Sequence, residues 1–119
     1  MVIAILADDL FVGEATGHLN GAGSLAIRSQ RNQALICLGE FTSSPAQGGS
    51  GQLHCSDGNS GTFQFQRLSV FRGHGIGSFG GRTMSFAYGI APEEVEPYLK
   101  LPEGKKLTRN GTELALVDR

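Results

Sequence analysis

Charge of neither sign dominates this sequence: ten Lys plus Arg stand against eleven Asp plus Glu. A balanced chain has no broad electrostatic reason to seek nucleic acid or an anionic membrane, so neither is expected as a partner. Proline is scarce, at four residues, and the glycines show no Gly-X-Y period, which excludes collagen. The opening run Met1-Val-Ile-Ala-Ile-Leu-Ala7 is apolar for seven residues and has no positive flank. That is too short for a transmembrane helix or an intact signal peptide. The expected compartment is the cytoplasm if Met1 is the true start, and the periplasm if the chain is a trimmed export product.

Metal and catalytic signatures are missing as well. There are two cysteines and three histidines, with no C-x-x-C and no H-x-x-x-H spacing. Asp57-Gly-Asn-Ser-Gly61 resembles a fragment of a calcium loop, but lacks the third acidic ligand and the closing glutamate. A turn held by side-chain-to-backbone bonds explains it better. Gly75-Ile-Gly-Ser-Phe-Gly80 matches G-x-G-x-x-G, yet the residues after it alternate like a strand where a dinucleotide site needs a helix. There is no G-x-S-x-G elbow and no spacing that pairs Glu14 with Glu40. The expectation is a non-enzymatic protein without cofactor or metal.

What the chain does have is length, apolar content and glycine. Its 119 residues, 39% of them hydrophobic, suit one globular domain with a single core. Eighteen glycines, concentrated between Gly13 and Gly89, suggest the bends and close approaches that close small barrels.

The best-defined feature is a pair of strands joined at Pro45. Ala34-Leu-Ile-Cys37-Leu-Gly-Glu-Phe41 reads as one and Gly51-Gln-Leu-His-Cys55 as the next. A turn centred on Ala46 sets Cys37 opposite Cys55, Gly39 opposite Leu53 and Phe41 opposite Gly51. With a period of two, these six share an inner face, while Glu40, Gln52 and His54 face water. Such a cysteine pair is within disulfide reach. A bond is expected if the protein is exported, and two buried thiols if it is cytoplasmic.

Three similar punctuations recur at Gly21-Ala-Gly-Ser-Leu25, Gly49-Ser-Gly-Gln-Leu53 and Gly75-Ile-Gly-Ser-Phe79, roughly 27 residues apart. Each precedes a turn and a second alternating run: Leu35 to Phe41, Phe63 to Leu68, and Met84 to Tyr88. One glycine-led strand plus its partner, used three times, accounts for this. Val2 to Leu6 adds a strand ended by Asp8-Asp9. Leu10 to Leu19 adds another with Phe11, Gly13, Ala15, Gly17 and Leu19 inward, closed by an Asn20-Gly21 type I′ turn. The expected inner face comprises Leu25, Ile27, Leu35, Phe41, Leu53, Phe63, Phe65, Met84 and Phe86, with Gln64 and Gln66 outside. Phe41, Phe63, Phe65, Met84 and Phe86 are expected to fill the interior.

Composition changes at Ala91, beyond which all three lysines lie. Pro92-Glu-Glu-Val-Glu-Pro-Tyr-Leu starts like a helix, and Pro97 limits it to a turn or two. Lys105 to Arg109 and Thr112 to Val117 flank Asn110-Gly111, a second hairpin signal. Residues 91–119 are therefore an appendage to the core at 1–90. Tyr98, Leu99, Leu101, Leu114 and Leu116 give it an apolar side that predicts a homodimer through residues 91–119. Its alternative place is a lid over one barrel mouth.

Arg67, Arg72 and Arg82 bracket the glycine-rich segment and are the candidate ligand-binding residues, for a carboxylate or phosphate. The plainer reading makes them solvated charges on outward positions. Cys37-Leu-Gly39 with Cys55-Ser-Asp-Gly58 resembles glycine-rich all-β domains of uncharacterised bacterial proteins. That resemblance implies a bacterial, all-β protein and no activity or functional residue.

The fold expected is all-β: a small antiparallel barrel, or a bent sandwich, of about eight strands with a short helical turn and a C-terminal hairpin. The function expected is a binding or interaction module. The alternative is a small-ligand-binding barrel, and after it a small enzyme with an unrecognised site. A cavity in the structure discriminates the first two.

Overall fold

The computed structural model describes residues 1–18, 20–44, 48–69 and 71–119. Leu19 and the turn at Pro45 and Ala46, named above, lie outside the described residues. Eight antiparallel strands form a closed barrel in simple meander order: β1 Val2–Leu6, β2 Asp9–Gly17, β3 Ala22–Ser29, β4 Ile36–Ser44, β5 Gly48–Cys55, β6 Ser60–Ser69, β7 Arg72–Phe79 and β8 Arg82–Tyr88. Closure comes from β1, which pairs with β2 on one side and β8 on the other. No sheet edge remains in the barrel. Two 3₁₀ turns, Pro92–Glu94 and Glu96–Tyr98, lead to a hairpin of β9 Lys105–Asn110 and β10 Glu113–Asp118.

The β4–β5 register is the expected one: Cys37 pairs with Cys55, Gly39 with Leu53 and Phe41 with Gly51. Ser56 N donates to Ile36 O at 2.8 Å, so the neighbouring pair is hydrogen-bonded. Cys37 and Cys55 therefore occupy the closer, non-hydrogen-bonded type of pair. They form a disulfide with Cα atoms 3.9 Å apart. All nine expected inner residues belong to one core cluster, with Leu25, Leu35 and Phe41 at its partly buried margin. Gln64 and Gln66 are exposed.

The glycines have a common task. Across the ladders Gly23 pairs with Phe41, Gly51 with Phe63, Gly49 with Phe65, Gly75 with Phe86 and Gly73 with Tyr88. Each ring lies over its glycine: a Cβ would approach the ring carbons to 2.5 Å at Gly51, 2.7 Å at Gly49 and 2.6 Å at Gly75. The recurring glycine-led segments open or lie in β3, β5 and β7, and the large residues stand on β4, β6 and β8. A narrow barrel cannot hold large side chains on every inner position, so small and large alternate around it. Gly51→Ala is expected to cost about 1 to 3 kcal/mol through overpacking. Gly17→Ala, where a Cβ meets nothing within 4 Å, should change stability by less than about 0.5 kcal/mol. Urea titrations of both variants check this, and equal losses would separate glycine usage from ring packing.

Two local expectations are corrected. Among the described residues the two-residue turns with both φ values positive are Ala7-Asp8, at 50° and 65°, joining β1 to β2, and Gly80-Gly81, at 57° and 80°, joining β7 to β8. Asp9 then starts β2, buried, and accepts a 2.6 Å hydrogen bond from Ser29 Oγ. At Asn20-Gly21 only the glycine has positive φ, and His18 N donates to Ala22 O, so that loop closes wider than a type I′ turn. In the terminal hairpin Asn110 pairs with Glu113, leaving Gly111-Thr112 as the turn. That register is two residues away from an Asn110-Gly111 turn, so it keeps the same apolar face. It also sets Lys105 opposite Asp118, where Nζ donates to the carboxylate at 2.5 Å.

The tail lies neither over the mouth nor free. It covers the outside of the barrel wall at β8, β1 and β2, where Ile3, Ile5, Leu10 and Ala87 pack with Ile90, Val95, Leu99 and Leu114. This explains the uninterrupted apolar run at the start of the chain: β1 is buried on both faces. Lys100 N donates to the buried Ser85 Oγ at 2.8 Å and Leu107 N to Glu96 Oε1 at 2.9 Å, tying the tail down. The apolar surface behind the expected homodimer is thus used within the chain.

Candidate functional site

One end of the barrel is plugged and the other open. At the plugged end Ser29 Oγ donates to Asp9 and accepts from Arg31 N and Asn32 N, knitting the β3–β4 connection. At the opposite end, between the β2–β3 and β6–β7 connections, a cavity of about 750 Å³ opens to solvent. The expectation that five large residues fill the interior fails here. They fill the lower layers only. In the mouth layers the inner positions include Ala15, Gly17, Gly23, Ser43, Gly49 and Gly73, too small to meet across the barrel.

The cavity floor is aromatic. Phe65 sits at its centre, with ring centroids 5.7 Å from Phe41, 6.2 Å from Phe63, 6.4 Å from Phe86 and 5.9 Å from Tyr88. The Phe41 and Tyr88 rings meet Phe65 edge-on, at 90° and 87°. Val2, Ala15 and Leu25 make apolar walls, and Gly17 leaves one wall open. Polar groups gather near the mouth: His18, Ser43, Arg67 and Tyr88. Burial pushes the Tyr88 phenol above its ordinary value, and the Arg67 charge draws it partly back. Tyr88 is therefore a neutral donor.

The structure separates the three candidate arginines. Arg67 follows Phe63 and Phe65 on the inner face of β6 and lines the cavity, correcting the reading of all three as outward charges. Arg72 is exposed and faces Glu94 at 3.9 Å. Arg82 lies at the plugged end, paired with Asp8. Only Arg67 belongs to the site.

The histidines are also dispersed. His18 is on the rim, His54 is exposed on β5, and His74 stacks on Tyr98 with centroids 4.8 Å apart. Among the described residues no three His, Cys, Asp or Glu side chains gather as a metal site. Asp57-Gly-Asn-Ser-Gly61 is a side-chain-held turn, with Asn59 N donating to Asp57 Oδ1 at 3.0 Å. Glu14 on β2 and Glu40 on β4 are separated by β3. Ser43 Oγ, in the cavity lining, donates to Gly21 O at 3.2 Å. Gly75 to Phe79 is strand β7, followed by the Gly80-Gly81 turn and β8, with no helix.

The chain matches no known protein family, no curated protein and no solved structure. Its site is defined by geometry alone. Sequence reasoning missed the cavity because it summed large inner residues over the whole barrel without sorting them by layer. The signal was present: Gly17 ends β2, and Gly23, Gly49 and Gly73 are the second residues of β3, β5 and β7, all at the same end of the barrel.

Proposed function

We propose that the protein is a small-ligand-binding barrel that takes a small, largely apolar molecule into its open end. The observation that carries this reading is the aromatic-floored cavity of about 750 Å³. Ligand sites typically enclose about 300 to 1,000 Å³, with apolar walls and a few polar groups for orientation. Binding without chemistry suits a mouth whose Ser43 hydroxyl faces a backbone carbonyl and not a base. The Cys37–Cys55 bond supports an exported setting, since disulfides persist in oxidising compartments.

The interaction-module reading has one specific observation in its favour. Phe71 is 81% exposed on the β6–β7 connection, and Leu68 nearby is 48% exposed. Phe71 also lines the cavity, so we assign it to the mouth, as an apolar rim that a ligand passes.

The chain contains no Trp, so an environment-sensitive dye can be read without that background. N-phenylnaphthylamine, a neutral apolar fluorophore, should bind with enhanced emission. Gly17→Phe places a ring in open space on the inner wall and should weaken binding at least about tenfold. Its thermal midpoint should stay within a few degrees of wild type, about 4 °C or less. Native mass spectrometry of freshly purified protein should show a retained small molecule or a single dye molecule per chain. Dye binding unaltered by Gly17→Phe would overturn the reading.

A further inference from the structure

We infer that the ligand is an amphipathic organic anion, its apolar body on the phenylalanine floor and its single anionic group held by Arg67 at the mouth. This rests on the cavity reading and adds the ligand's chemical class. Arg67 is placed for that task by two features of the strands. On β6 the ladder register breaks between Arg67 and Ser69, a bulge of the kind that re-aims a side chain beside a site. Across the ladder Arg67 pairs with Gly73, which has no side chain, and beyond Gly73 stands Tyr88. Arg67, Gly73 and the Tyr88 ring that lies over Gly73 thus form one layer directly above Phe65 and Phe86.

The electrostatics of the cavity run one way. Among the described residues lining it there is no Asp and no Glu, while Arg67 is a permanent cation and His18 stands on the rim. Two carboxylates on neighbouring elements are engaged: Glu94 faces Arg72 at 3.9 Å, and Glu14 pairs with the Met1 amino group at 3.2 Å. Arg67 already has an interaction within the chain, and its five N–H donors leave capacity for a ligand oxygen as well. Half-buried walls raise the strength of such a charge-assisted bond relative to open water. The neutral Tyr88 hydroxyl supplies a second donor to the same anionic group.

The test uses two dyes that share a ring system and differ in charge: anilinonaphthalene sulfonate and neutral N-phenylnaphthylamine. Wild-type protein should bind the sulfonate at least about tenfold more tightly than the neutral amine. Arg67→Gln should abolish that preference while leaving affinity for the neutral dye within about twofold, which also shows that the variant folds. Arg67→Lys should keep part of the preference, and Gly17→Phe should weaken both dyes. Equal affinity of wild type for the two dyes, or a preference that survives Arg67→Gln, would overturn the anion assignment while leaving the cavity reading in place. If neither dye binds, both fall together.

Discussion

Truncating Phe65 to Ala is expected to remove about 3 to 5 kcal/mol of stability, the full range for a packed phenylalanine. The ring is 7% exposed and is the hub of the aromatic floor, in contact with Phe41, Phe63, Phe86 and Tyr88. Its ladder neighbours are Gly49 on β5 and Gly75 on β7. Neither has a side chain that could move into the space vacated, and the surrounding rings are held over glycines of their own. Poor collapse of the site makes the cavity term large. Phe71→Ala, at an 81% exposed position, should change stability by less than about 0.5 kcal/mol. Two-state denaturant titrations of both variants give the comparison. A loss below about 1 kcal/mol at Phe65 would show that its ring is not packed between the strands.

Much of this barrel was legible because its inner face obeys a period of two almost without interruption. Leu53, Cys55, Phe63, Phe65, Met84 and Phe86 alternate with polar or small residues, and all six are buried. The cysteine pairing followed from the same alternation plus one proline turn. What escaped was information that alternation does not carry. Val2 to Leu6 has no period at all, because Val2, Ala4 and Leu6 face the core while Ile3 and Ile5 face the tail. An uninterrupted apolar strand signals burial on both sides, and here it needed residues beyond Ala91 as its cover. The turns were misplaced for a different reason. Asn-Gly is a strong local preference, yet the β9–β10 hairpin follows its cross-strand pairs and turns at Gly111-Thr112.

The site was the least legible part. Arg67 was among the candidates, but grouped with Arg72 and Arg82 by nearness in sequence. Strand direction decides otherwise: Arg72 follows the β6–β7 connection on an outward position, and Arg82 begins β8 at the far end. Parity with Phe63 and Phe65 already put Arg67 inside. An inward cation was the feature of the sequence that best foretold an open end to the barrel. The mouth's emptiness, in contrast, depends on which glycines share a layer, and that follows from register around all eight strands.

Reducing the Cys37–Cys55 bond should destabilise the protein by about 3 kcal/mol, the chain-entropy value for a closed loop of 18 residues. Reduction is a smaller perturbation than substitution, because no heavy atom is added or removed and the two sulfurs need only part from bonding to van der Waals distance. For a domain of this size the change corresponds to a fall of roughly 10 to 15 °C in thermal midpoint. The barrel should still fold when reduced. The Cys37–Cys55 pair sits at the end of the β4–β5 ladder, which runs on to Ser44–Gly48, and a domain of this length has enough core to fold without a staple. Folded protein prepared without reductant should show no free thiol after denaturation, and the reduced form should regain its midpoint on reoxidation. Cys37 is fully buried and Cys55 is 8% exposed, so a thiol reagent should reach the reduced pair only through opening of the fold. Its labelling rate then reports the same stability difference independently of heat. A midpoint that moves by less than about 3 °C on reduction would mean that β4 and β5 stay paired in the denatured chain, leaving the bond little entropy to remove.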